Sequence, residues 1–322
     1  IIDGEEDFSL FLQDGKVYSF GKYLKCEDEG IVCLSHKLEV SDVVEVSSSC
    51  HATLFLTAKG TAYLLNFTDI YKDFTHDKFY GDKLFVNLSE KHNQSFTGIS
   101  CTSYHSLLLT KTNEVMTCGE DGYYKLNDLK DVISIDGGDN FSLFLLRNGD
   151  VYKIRSGFFD VNPSPPKKID FLPSIISIAC GTAFSLFLNE NGYVYSKGWN
   201  IYGQLGVGDY ERRRIPQKLI ETPPISSIYC TKYSSLMLDF DGRLWVCGRN
   251  DYGQLGLGDT IDRCIPTEVI GIGVVTFIFS GGNHVILKST LGTFTFGKDI
   301  GQVNSSNNIV SPQIVEKLDK YM

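Results

Sequence analysis

The sequence predicts an all-β protein, a seven-bladed β-propeller of four-stranded antiparallel blades, its ring closed by the C-terminal strand joining the N-terminal blade. Three observations predict it. One hairpin pattern recurs seven times along 322 residues, its tight turns are held by glycine or asparagine, and the strand signals at the two chain ends complement one another. A lone four-stranded sheet cannot bury both its faces, so repeated sheets of this kind must cover each other.

The clearest copies are "ISIACGTAFSLFLNENGYVYSKG", "SSIYCTKYSSLMLDFDGRLWVCG" and "TFIFSGGNHVILKSTLGTFTFG", whose turn glycines Gly192, Gly242 and Gly292 stand fifty residues apart. The same template fits "ISIDGGDNFSLFLLRNGDVYKI" at Gly149 and "GISCTSYHSLLLTKTNEVMTCG", where Asn113 takes the turn slot. Weaker copies are "VEVSSSCHATLFLTAKGTAYLL" at Gly60 and a shortened "IIDGEEDFSLFLQDGKVYSFG" at Gly15. Apolar residues such as Leu186, Leu188 and Val194 alternate with small or polar ones, the period of a strand with one buried face. Asn148-Gly149, Asn191-Gly192 and Asp241-Gly242 supply the positive φ of two-residue hairpin turns.

A further strand is expected to start near a proline, at Ile215-Pro216, Ile265-Pro266 and Ser311-Pro312, where a missing N–H donor is tolerated. Assigning that strand to the copy after it gives blades over 36–66, 84–119, 126–155, 165–198, 215–248 and 265–297, with 310–322 joining 1–22. The tail "NNIVSPQIVEKL" then reads as a first strand that completes the N-terminal blade and removes exposed edges.

A net charge of −9 and a pI near 5.2 argue against binding a nucleic acid backbone, which needs clustered Lys and Arg. A protein partner suits this balance better. No apolar run of roughly 18 residues is present, so no membrane-spanning helix is expected. Ile1 in place of an initiator Met is read as a trimmed start. Nine cysteines, an odd number without a CxxC pair, read as small buried hydrophobes in a reducing, intracellular compartment, cytoplasmic or nuclear. No metal and no cofactor are expected.

The strand pattern Cys-Gly-x-x-[His/Phe]-Ser-Leu-x-Leu, the Asp-Gly turn, the Val-Tyr-x-x-Gly strand and "YGQLGVGD" or "YGQLGLGD" before a proline together resemble the repeat of the regulator of chromosome condensation family. The likeness spans the chain, is most specific over residues 174 to 270, and decays to "DIGQVN" at Asp299. It implies a propeller that binds proteins. The most concrete activity it implies is guanine nucleotide exchange on, or regulation of, a Ran-type small GTPase, with histones or chromatin reached through protein contacts. The alternative is a non-catalytic scaffold or substrate-recognition module, free or within a larger ubiquitin ligase or adaptor.

The residue pairs in the turns that follow each Cys-Gly position are expected to gather on one face, together with the Gly-Gln-Leu-Gly loops. Glu6, Asp7, His51, Tyr104, Asp139, Asn140, Lys232, Tyr233 and Asn283 are the candidate partner-binding residues there. Their mixture of carboxylates, aromatics and cations suits a protein interface. The resemblance sets Asp139 and Asp7 at the positions that grip the GTPase. The dense basic run Arg212, Arg213, Arg214 is the candidate contact for an acidic partner. The extra residues between Leu64 and Thr97 are the nearest counterpart of the family's wedge-like insertion.

His105 and His284 take a slot filled elsewhere by Phe8, Phe141 and Phe184, so they read as packing residues. No Ser-His-acid set, HExxH motif or paired carboxylates stands in a credible context, which leaves no covalent catalytic constellation. The glycine loops are not phosphate loops, because they lead to a proline and a strand instead of a helix. Leu205 and Leu255 are expected to plug the space beneath them.

Overall fold

The computed structural model describes residues 4–5, 8–21, 31–33, 39–49, 52–66, 85–102, 105–119, 122–155, 165–298 and 308–316. Its strands form four-stranded antiparallel meanders: sheet 1 (residues 4–33), sheet 2 (43–87), sheet 3 (96–126), sheet 4 (132–168), sheet 5 (175–218), sheet 6 (225–269) and sheet 7 (275–314). A short helix, α1 (Leu88–His92), follows the last strand of sheet 2, capped by the Asn87 side chain.

The turn residues do what their chemistry allows. Asn113 sits at φ 59° and Gly192 at φ 77°, in the left-handed region. At Gly192 an added Cβ would lie 2.9 Å from Pro224 Cβ and 3.0 Å from the Ile225 nitrogen, so the position needs glycine for space as well as for φ. The closeness has a purpose. The Ile225 amide donates to the Gly192 carbonyl at 2.8 Å, and the same bond joins Val43 to Gly15, Phe96 to Gly60, Val132 to Asn113, Ile175 to Gly149 and Val275 to Gly242. Each hairpin turn thereby anchors the first strand of the next sheet.

Apolar side chains fill the spaces between neighbouring sheets. Sheets 2 and 3 share a cluster around Leu54, Phe96 and Leu108, sheets 3 and 4 one around Leu107, Val132 and Phe144, and sheets 4 and 5 one around Leu143, Ile175 and Phe187. Sheets 5 and 6 meet over Leu186, Leu205 and Met237, and sheets 6 and 7 over Leu236, Leu255 and Phe296.

These five interfaces join six blades, sheets 2 to 7, and the first strands of the same six line the central cavity. The expected closed ring of seven blades is corrected on this ground. Sheet 1 is tied to sheet 2 through Val43 and Gly15, but among the described residues no apolar cluster spans the two. The expected closure is corrected as well: the C-terminal strand Ile309–Ile314 pairs with Gly292–Gly297 of its own sheet, while sheet 1 carries its own first and last strands. For the same reason each proline-bearing strand belongs to the copy before it. Arg213–Lys218 pairs with Val194–Gly198, and Arg263–Val269 with Leu244–Gly248. The physical reason is local: a loop that folds back onto its own sheet satisfies the edge of the third strand without borrowing from a distant terminus.

Candidate protein-binding face

The turns between first and second strands converge at one end of the cavity. A belt of backbone bonds fixes them there: Asp139 N to Thr182 O at 3.0 Å, Thr182 N to Lys232 O at 3.0 Å, and Lys232 N to Gly282 O at 3.2 Å. Four successive blades are thus held in register at this rim. The loops between third and fourth strands share the face, since Trp199 N donates to Ala183 O and Arg249 N to Tyr233 O.

Each long loop is braced from within. The Asn200 side chain donates to Asp209 O at 2.8 Å and accepts from Leu205 N at 2.9 Å, and Asn250 repeats this with Asp259 and Leu255. Gln204 and Gln254 accept from the amides of Tyr202 and Tyr252. Leu205 and Leu255 are fully buried, as plugs should be. The loop runs from strand to strand with no helix, so it offers no helix N-terminus to a phosphate. It leans on the next blade: Gly208 N donates to Cys264 O, and a Cβ at Gly203 would stand 2.5 Å from Cys264 Cα.

The central cavity, about 310 Å³, is lined by small and polar side chains. Between blades, side chains act as hydrogen-bonding rungs. Ser47 Oγ accepts from Cys101 N at 2.8 Å, and the Asp136 carboxylate accepts from Cys180 N at 2.7 Å, Gly137 N at 2.8 Å and Ser100 Oγ at 3.3 Å. Burial pushes Asp136 up to about 6 although these donors favour its charge. Burial likewise pushes Glu45 up to about 7 against the hydrogen bond from the Ile99 amide, and Asp136 adds repulsion. Sequence reasoning missed both carboxylates. Their signal was a charged residue in a run that is Ser or apolar in sister copies.

The candidate residues fare unequally. Glu6, Asp7, His51 and Tyr104 lie outside the described residues, as does most of the segment between Leu64 and Thr97. Asp139 and Asn140 sit in the rim turn of sheet 4, Asp139 at the cavity mouth and Asn140 exposed. Lys232 also lines the mouth. Asn283 is buried, so its side chain is not offered to a partner. The arginine run splits: Arg213 is an internal staple, paired with Asp209 as Arg263 is with Asp259, whereas Arg212 and Arg214 are exposed.

Tyr233 belongs to a cluster that the sequence did not reveal. The Arg249 guanidinium lies 5.2 to 5.5 Å from the ring centres of Tyr202, Tyr233 and Tyr252 and pairs with Asp251 at 2.5 Å. Burial is the largest single effect and opposes the charge, but the hydrogen bond and attraction of Asp251, with Tyr202 and Tyr252, together outweigh it and raise the Arg249 pKa. The cluster clamps two adjacent loops to a rim turn.

The histidines serve packing. His284 is buried and His105 is bonded to Thr102 and, through Nε2, to Ser142 Oγ at 2.6 Å, while burial lowers its pKa to about 4 and keeps the ring neutral. The cysteines at 180, 230, 247 and 264 are free thiols. Among the described residues no helix is long and apolar enough to cross a membrane.

Models of the regulator of chromosome condensation (RCC1) repeat match residues 191–238 and 241–287, and a second model of the same repeat matches 96–124, 175–204 and 225–254. No curated protein matches the sequence. Among solved structures, human WBSCR16 is 20% identical with a TM-score of 0.73, over 90% of this chain and 86% of that one. Yeast RCC1 (Prp20), in a complex with Kap60, is 18% identical with a TM-score of 0.71, over 85% and 75%. Prp20p of Saccharomyces cerevisiae, described with its binding to Gsp1p and histones, is 17% identical with a TM-score of 0.69, over 87% and 80%. The chain thus carries regulator of chromosome condensation repeats within residues 96–124 and 175–287, on a β-propeller fold shared with these structures.

Proposed function

We propose that the chain is a protein-binding regulator whose rim face docks a small GTPase of the Ran type and promotes its nucleotide exchange. The observation that carries the reading is the belt of backbone bonds from Asp139 through Thr182 and Lys232 to Gly282, which presents a rigid, chemically mixed rim. Exchange requires no nucleophile. It requires a face that binds the nucleotide-free GTPase better than the loaded form, a differential affinity that a preorganised surface supplies. The likeness to yeast proteins described with Gsp1p, histones and Kap60 supports this class of partner.

A non-catalytic scaffold is the second reading, favoured by the exposed Trp199, Ile201 and Tyr210 in the loops of the same face. Release of labelled GDP from Ran-type, Rho-type and Rab-type GTPases separates the two. Acceleration of one GTPase, weakened roughly tenfold by Asp139→Ala and also by Asp7→Ala, supports exchange. No acceleration for any of them overturns it in favour of the scaffold.

A further inference from the structure

One boundary between blades departs from its sisters. Between sheets 5 and 6, Leu205 fills the gap and its carbonyl accepts from Ser196 Oγ at 2.7 Å, while Cys247 faces it from sheet 6. Between sheets 6 and 7, Leu255 fills the gap and Phe296 faces it. Between sheets 4 and 5 the equivalent positions are cationic. Lys153 pairs with Leu143 as Ser196 pairs with Leu186, and Arg155 pairs with Phe141 as Gly198 pairs with Phe184. Lys197 pairs with Ser185 as Cys247 pairs with Ser235, which sets it opposite them.

Strand alternation fixes the direction of all three. Leu143, Phe141 and Val151 of sheet 4 pack against Phe187 and Tyr195 of sheet 5. Lys153 and Arg155 share the side of Val151, and Lys197 shares the side of Tyr195, so the three cations face the space between the two sheets. Arg212 stands beside it, 5.5 Å over the exposed Trp199 ring.

Among the described residues the cations are crowded and no counterion touches them. Burial is the main cause that brings Lys153 down to about 8, with Lys197, Arg155 and Arg212 adding repulsion, while Cys180 acts in the opposite sense. Asp170 is the carboxylate within range of Lys197, yet among the described residues none of the four cations makes an ion pair. In a chain of net charge −9 this concentration has a cost, since like charges in a low-dielectric cleft repel. A bound anion would remove that cost.

We propose that the cleft between sheets 4 and 5 is a docking site for an acidic peptide segment of a protein partner, with Lys153, Lys197, Arg155 and Arg212 holding its carboxylates and Trp199 anchoring an apolar side chain beside them. A short peptide suits the site better than a nucleic acid. The surrounding negative charge repels a long polyanion, whereas a segment of a few residues meets chiefly the local cations. The site does not depend on the GTPase reading: Trp199 stands on the same face, but none of the four cations belongs to the belt from Asp139 to Gly282 that carries that reading.

The test uses the whole chain and a fluorescein-labelled peptide of alternating Glu, Asp and Leu, followed by anisotropy at two salt concentrations, with a neutral Gln, Asn and Leu peptide and a single-stranded oligonucleotide as comparators. The expected result is preferential binding of the acidic peptide, weakened by salt. Arg212→Glu, at an exposed position that leaves folding intact, weakens it at least tenfold, as does Lys153→Met with Lys197→Met, whereas Lys130→Ala does not. Equal binding of the neutral peptide, tighter binding of the oligonucleotide, or wild-type affinity in Arg212→Glu overturns the proposal.

Discussion

Glu45→Gln isolates the energetic cost of placing a carboxylate among the first strands. The Ile99 amide donates to Glu45, and a glutamine oxygen can accept the same bond, so the substitution removes the charge while keeping the contact. Burial raises the Glu45 pKa from 4.5 to about 7. At about 1.4 kcal/mol per pKa unit, that rise corresponds to about 3 kcal/mol. Because the folded-state value lies above the unfolded one, the neutral form favours the fold. The contribution is complete below the unfolded value of 4.5 and is lost as pH rises through about 7. Urea titrations of both proteins at a series of pH values should therefore give nearly equal stabilities near pH 4 and a variant more stable by about 3 kcal/mol above pH 8. A difference that does not change with pH would refute the reasoning, for it would show that Glu45 is solvated in the native state.

Leu255→Ala should cost about 2 to 5 kcal/mol in denaturant titration, because it empties a fully buried plug between Phe296 and the sheet 6 core. Gly203→Ala should destabilise by at least about 1 kcal/mol and lower the melting temperature, since φ is +79° there and the new Cβ would strike Cys264. Arg249→Met should loosen the loops that carry Tyr202 and Tyr252, read as faster amide exchange at Gly253 and Gly256, whose N–H groups bond within the loop.

The turn chemistry was legible in the sequence because it depends on single residues. Asn113 and Gly192 need left-handed φ, and that requirement holds wherever the hairpin goes. The buried leucines beneath the glycine loops were legible for the same reason, being apolar residues enclosed by glycines that can turn the chain sharply. The packing of His105 and His284 followed from the Phe they replace in sister copies.

Strand ownership was not legible. Ile215-Pro216 and Ile265-Pro266 read equally well as the start of a new copy or the end of an old one, because a strand's own residues do not name the edge it will pair with. The Arg249 cluster escaped for a related reason: Tyr202, Tyr233 and Tyr252 come from three separate segments. By itself, then, the sequence determined the repeat, its hairpins and the apolar faces, all set by short-range stereochemistry and period-two burial. Tertiary structure decided which strand completes which blade, how many blades share a described core, and which charges meet across a cleft, since those depend on contacts between segments that chain spacing does not specify.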